Sequence, residues 1–331
     1  MTAPTRIRTA DQNSDQQDSE WYRRREAGSL IGLKSLWLIY RLMGRRTLSF
    51  ALYPIVAYFY LVRGDARRAS YEFLCQHRVY FKDEWDHEPG WRDGLRHFYE
   101  FSESVVDKLL AWREAVLAED FTLLDAAAVR RTEQETRGLL IIGSHHGNIE
   151  YCREFLQGNL SHVVNLLVYD RHAGNFVRLM REFSDDSRIN VYQVDEFSVA
   201  SMLLLREKIQ RGEWVFVAGD RIPLSGAERT VEVSFLGRAA RFPIGPYLLA
   251  RALQCPVRLM FSWRNHIGND QRLYFNVVEF AEQVTLPPRI RDEKIRQLAQ
   301  SYACELEKAV RVAPYQWFNF YPYWSDFDGR A

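Results

Sequence analysis

Two adjacent histidines and a glutamate lie close together in the segment SHHGNIE at positions 144–150. An imidazole can take up a proton near neutral pH, and a nearby carboxylate can fix its tautomer and stabilise the imidazolium. General-base chemistry, with His145 or His146 as the base and Glu150 as the orienting carboxylate, is what these residue types indicate. A structural role for the histidines at a turn is the alternative, and spacing alone does not decide between them.

A metal site is a competing interpretation of the same segment. His145, His146, Glu150 and Cys152 could all act as ligands. Their spacing matches none of the zinc patterns, such as H-E-x-x-H. We therefore expect no bound metal.

A second polar cluster follows the apolar run Trp214–Ala218, where the chain reads Gly219-Asp220-Arg221. The Arg221 guanidinium could bind a phosphate group or stabilise a developing oxyanion. A structural Asp–Arg pair at a turn is the alternative. We expect Asp220 and Arg221 to belong to the substrate site, together with His146, Gly147 and Asn148.

Short apolar runs alternate with helical patterns from about residue 138 onward, which predicts an α/β fold with a mixed, mostly parallel sheet covered by helices. Ligand sites on such sheets lie at the carboxyl ends of strands, where both polar clusters fall. The predicted strands are Gly138–Ser144, Val163–Tyr169, Ile189–Val194, Trp214–Ala218, Thr230–Phe235, Val257–Trp263 and Leu273–Val278. The predicted helices lie at about 148–158, 173–184, 198–211, 243–254 and 291–312.

Residues 1–120 lack the alternating strand and helix pattern of the rest of the chain. Residues 1–20 are polar and predict a disordered tail without a signal peptide, so we expect the chain to stay in the cytoplasm. Residues 21–120 predict a helical, membrane-associating region that forms one compact domain with the α/β core at 121–331. Residues 90–117 predict one of its helices, whose apolar face we expect to pack in the core; that face comprises Leu95, Phe98, Phe101, Val105, Leu109 and Trp112.

The most apolar stretch, Thr47–Val62, holds sixteen residues without charge and is interrupted by Pro54. A membrane-spanning helix needs about 20 residues. Eleven Lys/Arg against three Asp/Glu between Trp21 and Tyr80 suggest an anionic lipid surface as partner. We expect helices lying on the bilayer; buried core helices and a true span are the alternatives.

The sequence lacks the features typical of several other classes of protein. The 331-residue chain carries a net charge of only +1, which offers no general argument for nucleic-acid binding. Its four cysteines form no C-x-x-C pair, as expected for free thiols in a reducing compartment. The serine-hydrolase elbow G-x-S-x-G, the P-loop and the G-x-G-x-x-G fingerprint are absent from the sequence.

The segment from His145 to Glu150 resembles the H-x-x-x-x-[DE] motif of the lysophospholipid acyltransferase superfamily, with His145 and Glu150 at the defining positions. The chain is most similar to the bacterial lipid A late acyltransferases, and especially to relatives found with aryl polyene and related pigment pathways. Four further stretches carry the likeness: residues 21–44, AGDR at 218–221, FPIGP at 242–246 and the closing APYQWFNFY at 313–321.

The resemblance implies transfer of a fatty acyl group from acyl carrier protein or coenzyme A to a lipid-borne hydroxyl at the cytoplasmic face of the inner membrane. It selects His145 as base, gives Glu150 the orienting role, and places Arg221 against the donor's phosphate or the reacting carbonyl. It also implies no metal or organic prosthetic group. An acyl-modified pigment or aryl lipid is as plausible an acceptor as lipid A.

Two alternatives remain open at this point. The same fold could act as a thioesterase or esterase that passes the acyl group to water. The chain could also be a non-catalytic lipid-binding protein of a pathway complex. The tetrahedral oxyanion of an acyl transfer would be stabilised by backbone N–H groups near Gly147 or by Arg221.

Overall fold

The computed structural model describes residues 41–42, 44, 47–111, 121–148, 162–168, 189–193, 199–222, 229–265 and 273–324. The chain divides into two units, Met1–Leu52 and Tyr53–Ala331. In the first unit, the described residues are helical. The domain boundaries expected from the sequence, at residues 20 and 120, stay predictions.

Seven strands of the second unit form one sheet in the order β1-β9-β8-β2-β5-β3-β4. Only β8 and β9 pair antiparallel; the other neighbours are parallel. The predicted mixed, mostly parallel α/β sheet is confirmed. Its strands are β1 (Phe121–Leu123), β2 (Leu140–Gly143), β3 (Val164–Val168), β4 (Ile189–Gln193), β5 (Trp214–Ala218), β8 (Val257–Arg264) and β9 (Leu273–Ala281).

Strands β6 (Thr230–Phe235) and β7 (Arg238–Pro243) form a separate antiparallel hairpin. Its two-residue turn, Leu236 and Gly237, has positive φ angles of 50° and 76°, which suit a tight hairpin connection. The sequence predicted β6 as one more strand of the alternating series. The strand itself is confirmed with its predicted bounds, but among the described strands it pairs with β7 and not with the seven-stranded sheet.

Helices alternate with the strands along the chain. The predicted helices at 198–211, 243–254 and 291–312 are confirmed, and those at 148–158 and 173–184 lie outside the described residues apart from Asn148. The described helices are α1 (Thr47–Val62), α2 (Gly64–Tyr80), α3 (Trp91–Ala111), α4 (Ala126–Glu133), α5 (Val199–Gln210), α6 (Gly245–Leu253) and α7 (Arg291–Val312).

Helix α3 buries a polar face, contrary to the apolar one expected from its periodicity. Phe98 is buried, but Phe101 is 39% exposed, and Leu95 and Val105 are only partly buried. The prediction that these residues form the core face is therefore wrong for Phe101. The buried polar residues of α3 are Asp93, His97, Glu100, Glu103, Ser104 and Asp107.

Within the described residues, no single helix has both the length and the apolar composition to cross a membrane. One bent pair, α1 with α2, meets those two requirements when the helices are taken together.

Candidate active site

The pairing of β2 with β5 brings the two polar clusters together. The strands are parallel, and Gly143 lies opposite Ala218 in their register. His145 and Asp220 each follow two residues later, at the same edge of the sheet. His145 Nδ1 lies 2.8 Å from Asp220 Oδ1, and the His145 backbone N–H donates to Asp220 Oδ2 at 2.7 Å.

Asp220 is fully buried and is held by several donors. Trp317 Nε1 donates to its Oδ2 at 3.0 Å, and the hydroxyl of Tyr321 donates to its backbone carbonyl at 3.3 Å. Burial alone would raise the pKa of Asp220, but the charge and hydrogen bonds of His145, together with the Arg221 charge, outweigh it and lower that pKa. The side chain is therefore a carboxylate at neutral pH.

The contact with Asp220 determines which nitrogen of His145 can act as a base. A carboxylate only accepts hydrogen bonds, so Nδ1 carries the proton and Nε2 carries the lone pair. The side chain of His145 is 31% exposed, whereas that of Asp220 is not exposed at all. A buried anion thus orients a histidine that a reactant can reach, which is the arrangement of a general base.

His146 occupies a different environment from His145. Its ring is buried, with Nε2 3.1 Å from the Ala313 carbonyl oxygen and an edge-on contact to Trp263. Burial lowers the pKa of His146 to about 4, so the ring is neutral at pH 7. These contacts tie the loop after β2 to the end of α7. The expectation that His146 binds substrate stays a prediction.

Three buried neutral histidines predict that acid destabilises the protein. Burial lowers the pKa of His77, His97 and His146 to about 4 each, whereas the unfolded chain has histidines near 6.5. Because the unfolded state binds more protons between these values, the free energy of unfolding should fall as pH drops from 7 to 5, by on the order of 2 kcal/mol per histidine.

Urea unfolding at several pH values measures this effect. The wild-type midpoint should fall steadily between pH 7 and 5, and His97→Gln should lose about a third of that pH dependence. A wild-type midpoint that stays constant over this range would contradict the buried neutral state of these rings.

Gly147 lies where the loop passes the neighbouring strand β8. Its φ is +65°, and an added Cβ would overlap the carbonyl oxygen of Ser262. The hydroxyl of Ser262 donates to the Asn148 carbonyl at 2.6 Å, which fixes the same approach. The Gly147 N–H donates to the Gln316 carbonyl at 2.7 Å. This N–H is therefore engaged within the fold, and the expectation that backbone N–H groups near Gly147 stabilise an oxyanion stays a prediction.

The closing aromatic segment packs directly against the loop after β2. Phe318 N–H donates to the His145 carbonyl at 2.9 Å, and Arg221 Nη2 donates to the Phe318 carbonyl at 2.9 Å. Trp317 is fully buried, and Tyr323 and Trp324 are nearly so. These aromatic residues therefore pack in the interior of the fold.

The family model of the bacterial lipid A biosynthesis acyltransferases matches residues 105–326, which include the loop after β2, Asp220 and Trp317. The chain belongs to this family. No curated protein sequence matches the chain. Membership of the lipid A acyltransferase family makes the chain an acyltransferase of lipid biosynthesis, and the resemblance stated from its sequence motifs is confirmed at this level.

The geometry gives this member of the family a histidine–aspartate pair. Asp220 was expected in the substrate site, and the described residue at His145 Nδ1 is Asp220. Glu150, the orienting carboxylate expected from the motif, lies outside the described residues, so its role stays a prediction. The contact of Trp317 with Asp220 is not visible in the sequence, although the family likeness did single out the closing segment.

A cleft with a volume of about 10 Å³ opens beside the loop after β2. Gly147 and Asn148, both expected in the substrate site, form part of its wall. Arg221 does not line this cleft and is exposed. In the part of the chain that the structure describes, no group of three or more His, Cys, Asp or Glu residues is placed to hold a metal ion.

Proposed function

We propose that the chain moves a fatty acyl group from an acyl carrier protein or coenzyme A thioester to a hydroxyl of a lipid or pigment-lipid acceptor. The observation that carries the proposal is the 2.8 Å contact between His145 Nδ1 and the buried Asp220 carboxylate. Family membership supports acyl transfer, and the exposed side of His145 supports a base that reaches its substrate.

In the proposed reaction, His145 Nε2 takes the proton of the acceptor hydroxyl as its oxygen attacks the thioester carbonyl. A new C–O ester bond forms, and the C–S bond then breaks. The thiolate leaves and takes up the proton from the imidazolium. Asp220 holds the ring and stabilises its positive charge during transfer. The donor is already activated, so no covalent enzyme intermediate or cofactor is needed.

Arg221 is the proposed partner of the developing negative charge or of the donor's phosphate. One of its nitrogens donates to the Phe318 carbonyl, and a guanidinium has five N–H donors in all. This bond holds the side chain beside Asp220 while other donors remain for a ligand. Glu150, His146, Gly147 and Asn148 complete the proposed site.

We further propose that the chain works at the cytoplasmic face of the inner membrane as a peripheral protein. Large apolar side chains are exposed along the part of α1 within the second unit. Arg63, Arg67 and Arg68 follow them and suit an anionic lipid surface. The exposed residues are Tyr53, Ile55, Tyr58, Phe59, Leu61 and Val62, with exposed fractions of 39–71%.

Membrane binding through this apolar surface is testable by flotation with phosphatidylethanolamine–phosphatidylglycerol vesicles. Replacing both Tyr58 and Leu61 with Glu should lower the bound fraction at least roughly tenfold, because each apolar side chain contributes about 1.5–3 kcal/mol on burial. Leu203→Glu is the matched control, since Leu203 is an exposed leucine on α5. Equal flotation of the double variant and the wild type would refute the proposed surface.

The likeness to relatives from aryl polyene and related pigment pathways supports an aryl or pigment lipid as acceptor. The Pro-interrupted apolar run 47–62 is consistent with this branch, since lipid A enzymes usually carry a clearer anchor at this place. Lipid A is the other candidate within the family.

Product analysis tests the proposed reaction. Wild-type protein is incubated with a panel of acyl-carrier-protein and acyl-CoA thioesters, with and without a bacterial lipid extract. Acyl transfer predicts thiol release that depends on the extract and yields a labelled lipid ester. Release of free fatty acid without the extract would identify a thioesterase. Binding of lipid with no consumption of any thioester would point to a lipid-binding protein.

A further inference from the structure

The indole N–H of Trp317 ends on the carboxylate of Asp220. Both side chains are fully buried, and Trp317 Nε1 lies 3.0 Å from Asp220 Oδ2. A buried indole N–H needs an acceptor, and a backbone carbonyl can serve. The buried Trp324 uses one, since its Nε1 donates to the Phe235 carbonyl at 3.2 Å. Trp317 instead gives its single donor to the residue that orients the base.

The position of this indole is fixed by the rings around it. The centroid of the Trp317 ring lies 4.8 Å from that of Phe73, 5.2 Å from that of Phe235 and 5.0 Å from that of Tyr323. Close packing on several sides restricts the side chain to one rotamer. The N–H group therefore stays directed at Asp220.

The backbone of Trp317 is paired with the loop that carries His145. Trp317 forms an antiparallel bridge with His146, and the next residue, Phe318, donates its N–H to the His145 carbonyl at 2.9 Å. The indole and the imidazole thus lie on two paired segments. This pairing holds both groups in place on either side of the Asp220 carboxylate.

The two oxygens of Asp220 are used differently, and Trp317 contributes to that difference. Oδ2 accepts the backbone N–H of His145 and the indole N–H, whereas Oδ1 lies 2.8 Å from His145 Nδ1. Turning the carboxylate would break these contacts. A hydrogen bond to a carboxylate also stabilises its negative charge. The carboxylate then attracts the imidazolium proton less strongly, which favours the neutral ring that a base requires.

We infer that Trp317 is a positioning residue for acyl transfer: its indole N–H keeps Asp220 Oδ1 facing His145 and limits how strongly the carboxylate holds the imidazolium. The inference rests on the proposed function for the reaction, but the effect on His145 does not depend on it. Trp317 is fully buried and acts through Asp220 rather than on a substrate.

The other titratable groups near Asp220 keep their charge around neutral pH. Burial raises the pKa of the three tyrosines, and it lowers the pKa of His146 to about 4. A guanidinium stays charged. Within this set, His145 is the group whose charge Trp317 can influence through the carboxylate. The set comprises His145, His146, Arg221, Tyr302, Tyr321 and Tyr323.

Trp317→Phe removes the indole N–H and keeps an aromatic ring. It should lower kcat for acyl transfer about tenfold and leave KM within about twofold of wild type, because the lost contact is to a catalytic carboxylate and not to substrate. Trp324→Phe is the matched control, since it removes a buried indole N–H that donates to a backbone carbonyl. It should leave kcat within about twofold of wild type. Equal kcat values of the two variants would overturn the inference.

A double variant shows whether Trp317 acts through Asp220. Groups that act as a unit have non-additive effects. Trp317→Phe should therefore cause no further loss of rate in Asp220→Asn. It can even raise that rate, because the amide oxygen loses one of the two donors that hold it away from His145 Nδ1. A further tenfold loss would place the role of Trp317 elsewhere and overturn the inference.

Proton uptake by His145 can be followed without any substrate, by proton–nitrogen correlation NMR of the histidine side chains. The signals of His145 are assigned from their loss in His145→Gln. The ring should take up its proton at a higher pH in Trp317→Phe than in wild type, and at the wild-type pH in Trp324→Phe. Benzothienylalanine at position 317 keeps the fused rings and replaces the N–H by sulfur. It should give the same shift if Trp317→Phe is too unstable to study.

The two readouts separate this inference from the proposed reaction. A shifted protonation of His145 in a protein that consumes no thioester would refute the reaction and leave the positioning role standing. Wild-type acyl transfer by the variant without the indole N–H, with His145 taking up its proton at the wild-type pH, would overturn the positioning role and leave the reaction standing.

Discussion

Asp220→Asn should lower kcat for acyl transfer by about 10³–10⁴-fold while leaving the fold intact. The reason lies in how the two carboxylate oxygens of Asp220 are used. Oδ2 accepts two N–H groups, from the His145 backbone and from Trp317, whereas Oδ1 accepts only from His145 Nδ1 among the contacts of the two oxygens described above.

An asparagine at this position has one oxygen and one NH₂ group in place of the two oxygens. The amide oxygen should take the position with two donors, which turns the NH₂ group toward His145 Nδ1. That nitrogen must then accept, so the proton moves to Nε2 and the ring can no longer take a proton from the acceptor. The buried hydrogen bonds survive, which is why stability should change little.

Steady-state kinetics and thermal unfolding of Asp220→Asn measure both parts of this expectation. Glu150→Gln is the informative comparison, because the sequence motif gives the orienting role to Glu150. If Asp220 orients the ring, Asp220→Asn loses much more activity than Glu150→Gln. Full activity in Asp220→Asn together with a large loss in Glu150→Gln would return the role to Glu150.

Gly147→Ala should remove most of the activity and destabilise the protein by roughly 3 kcal/mol or more. An alanine would hold φ at +65° against its preference, and its Cβ would overlap the Ser262 carbonyl oxygen on β8. The loop has to move away from the strand to relieve this overlap. A displacement of about 1 Å at a reacting group can cost on the order of 10²-fold in rate.

Gly64→Ala is the matched control for Gly147→Ala. Gly64 begins α2, and an added Cβ there would come no nearer than 3.9 Å to the Arg67 side chain. It should leave the unfolding temperature and the rate of acyl transfer close to wild type. An equally mild effect of Gly147→Ala would show that the loop lies farther from β8 than it does in the structure.

Much of the sheet is readable from the sequence, because buried strands are short apolar runs. Trp214–Ala218 is predicted with its observed bounds, and α7 likewise. β1 and β7 are not predicted, since one has three residues and the other, RAARFP, has two arginines, a proline and no β-branched residue. A segment with such a sequence forms a strand only because it pairs with a neighbouring strand, as β7 does with β6.

The pairing of His145 with Asp220 follows from strand order, which the sequence does not reveal. β2 and β5 are neighbours although β3 and β4 lie between them along the chain. Both strands visibly end in polar residues, so a shared edge could be predicted. Which carboxylate meets His145 could not, because that depends on the register of Gly143 with Ala218.

The buried polar face of α3 could not be predicted from the sequence either. Apolar residues at helical spacing normally mark the buried side of a helix. Here Phe101 packs at the surface against Phe318 and Phe320, while His97 turns inward and lies 2.9 Å from the Trp317 carbonyl oxygen. That these polar residues are buried is known only once the elements that cover them are known.

The role of His145 as the base is tested most directly by acyl transfer with wild type and with His145→Gln in the same assay, using a thioester donor, a bacterial lipid extract and equal amounts of folded protein. We expect thiol release matched by lipid-ester formation in the wild type, and a rate at least about 10²-fold lower in His145→Gln. A His145→Gln protein that forms the lipid ester at the wild-type rate would contradict the role of His145 as the base.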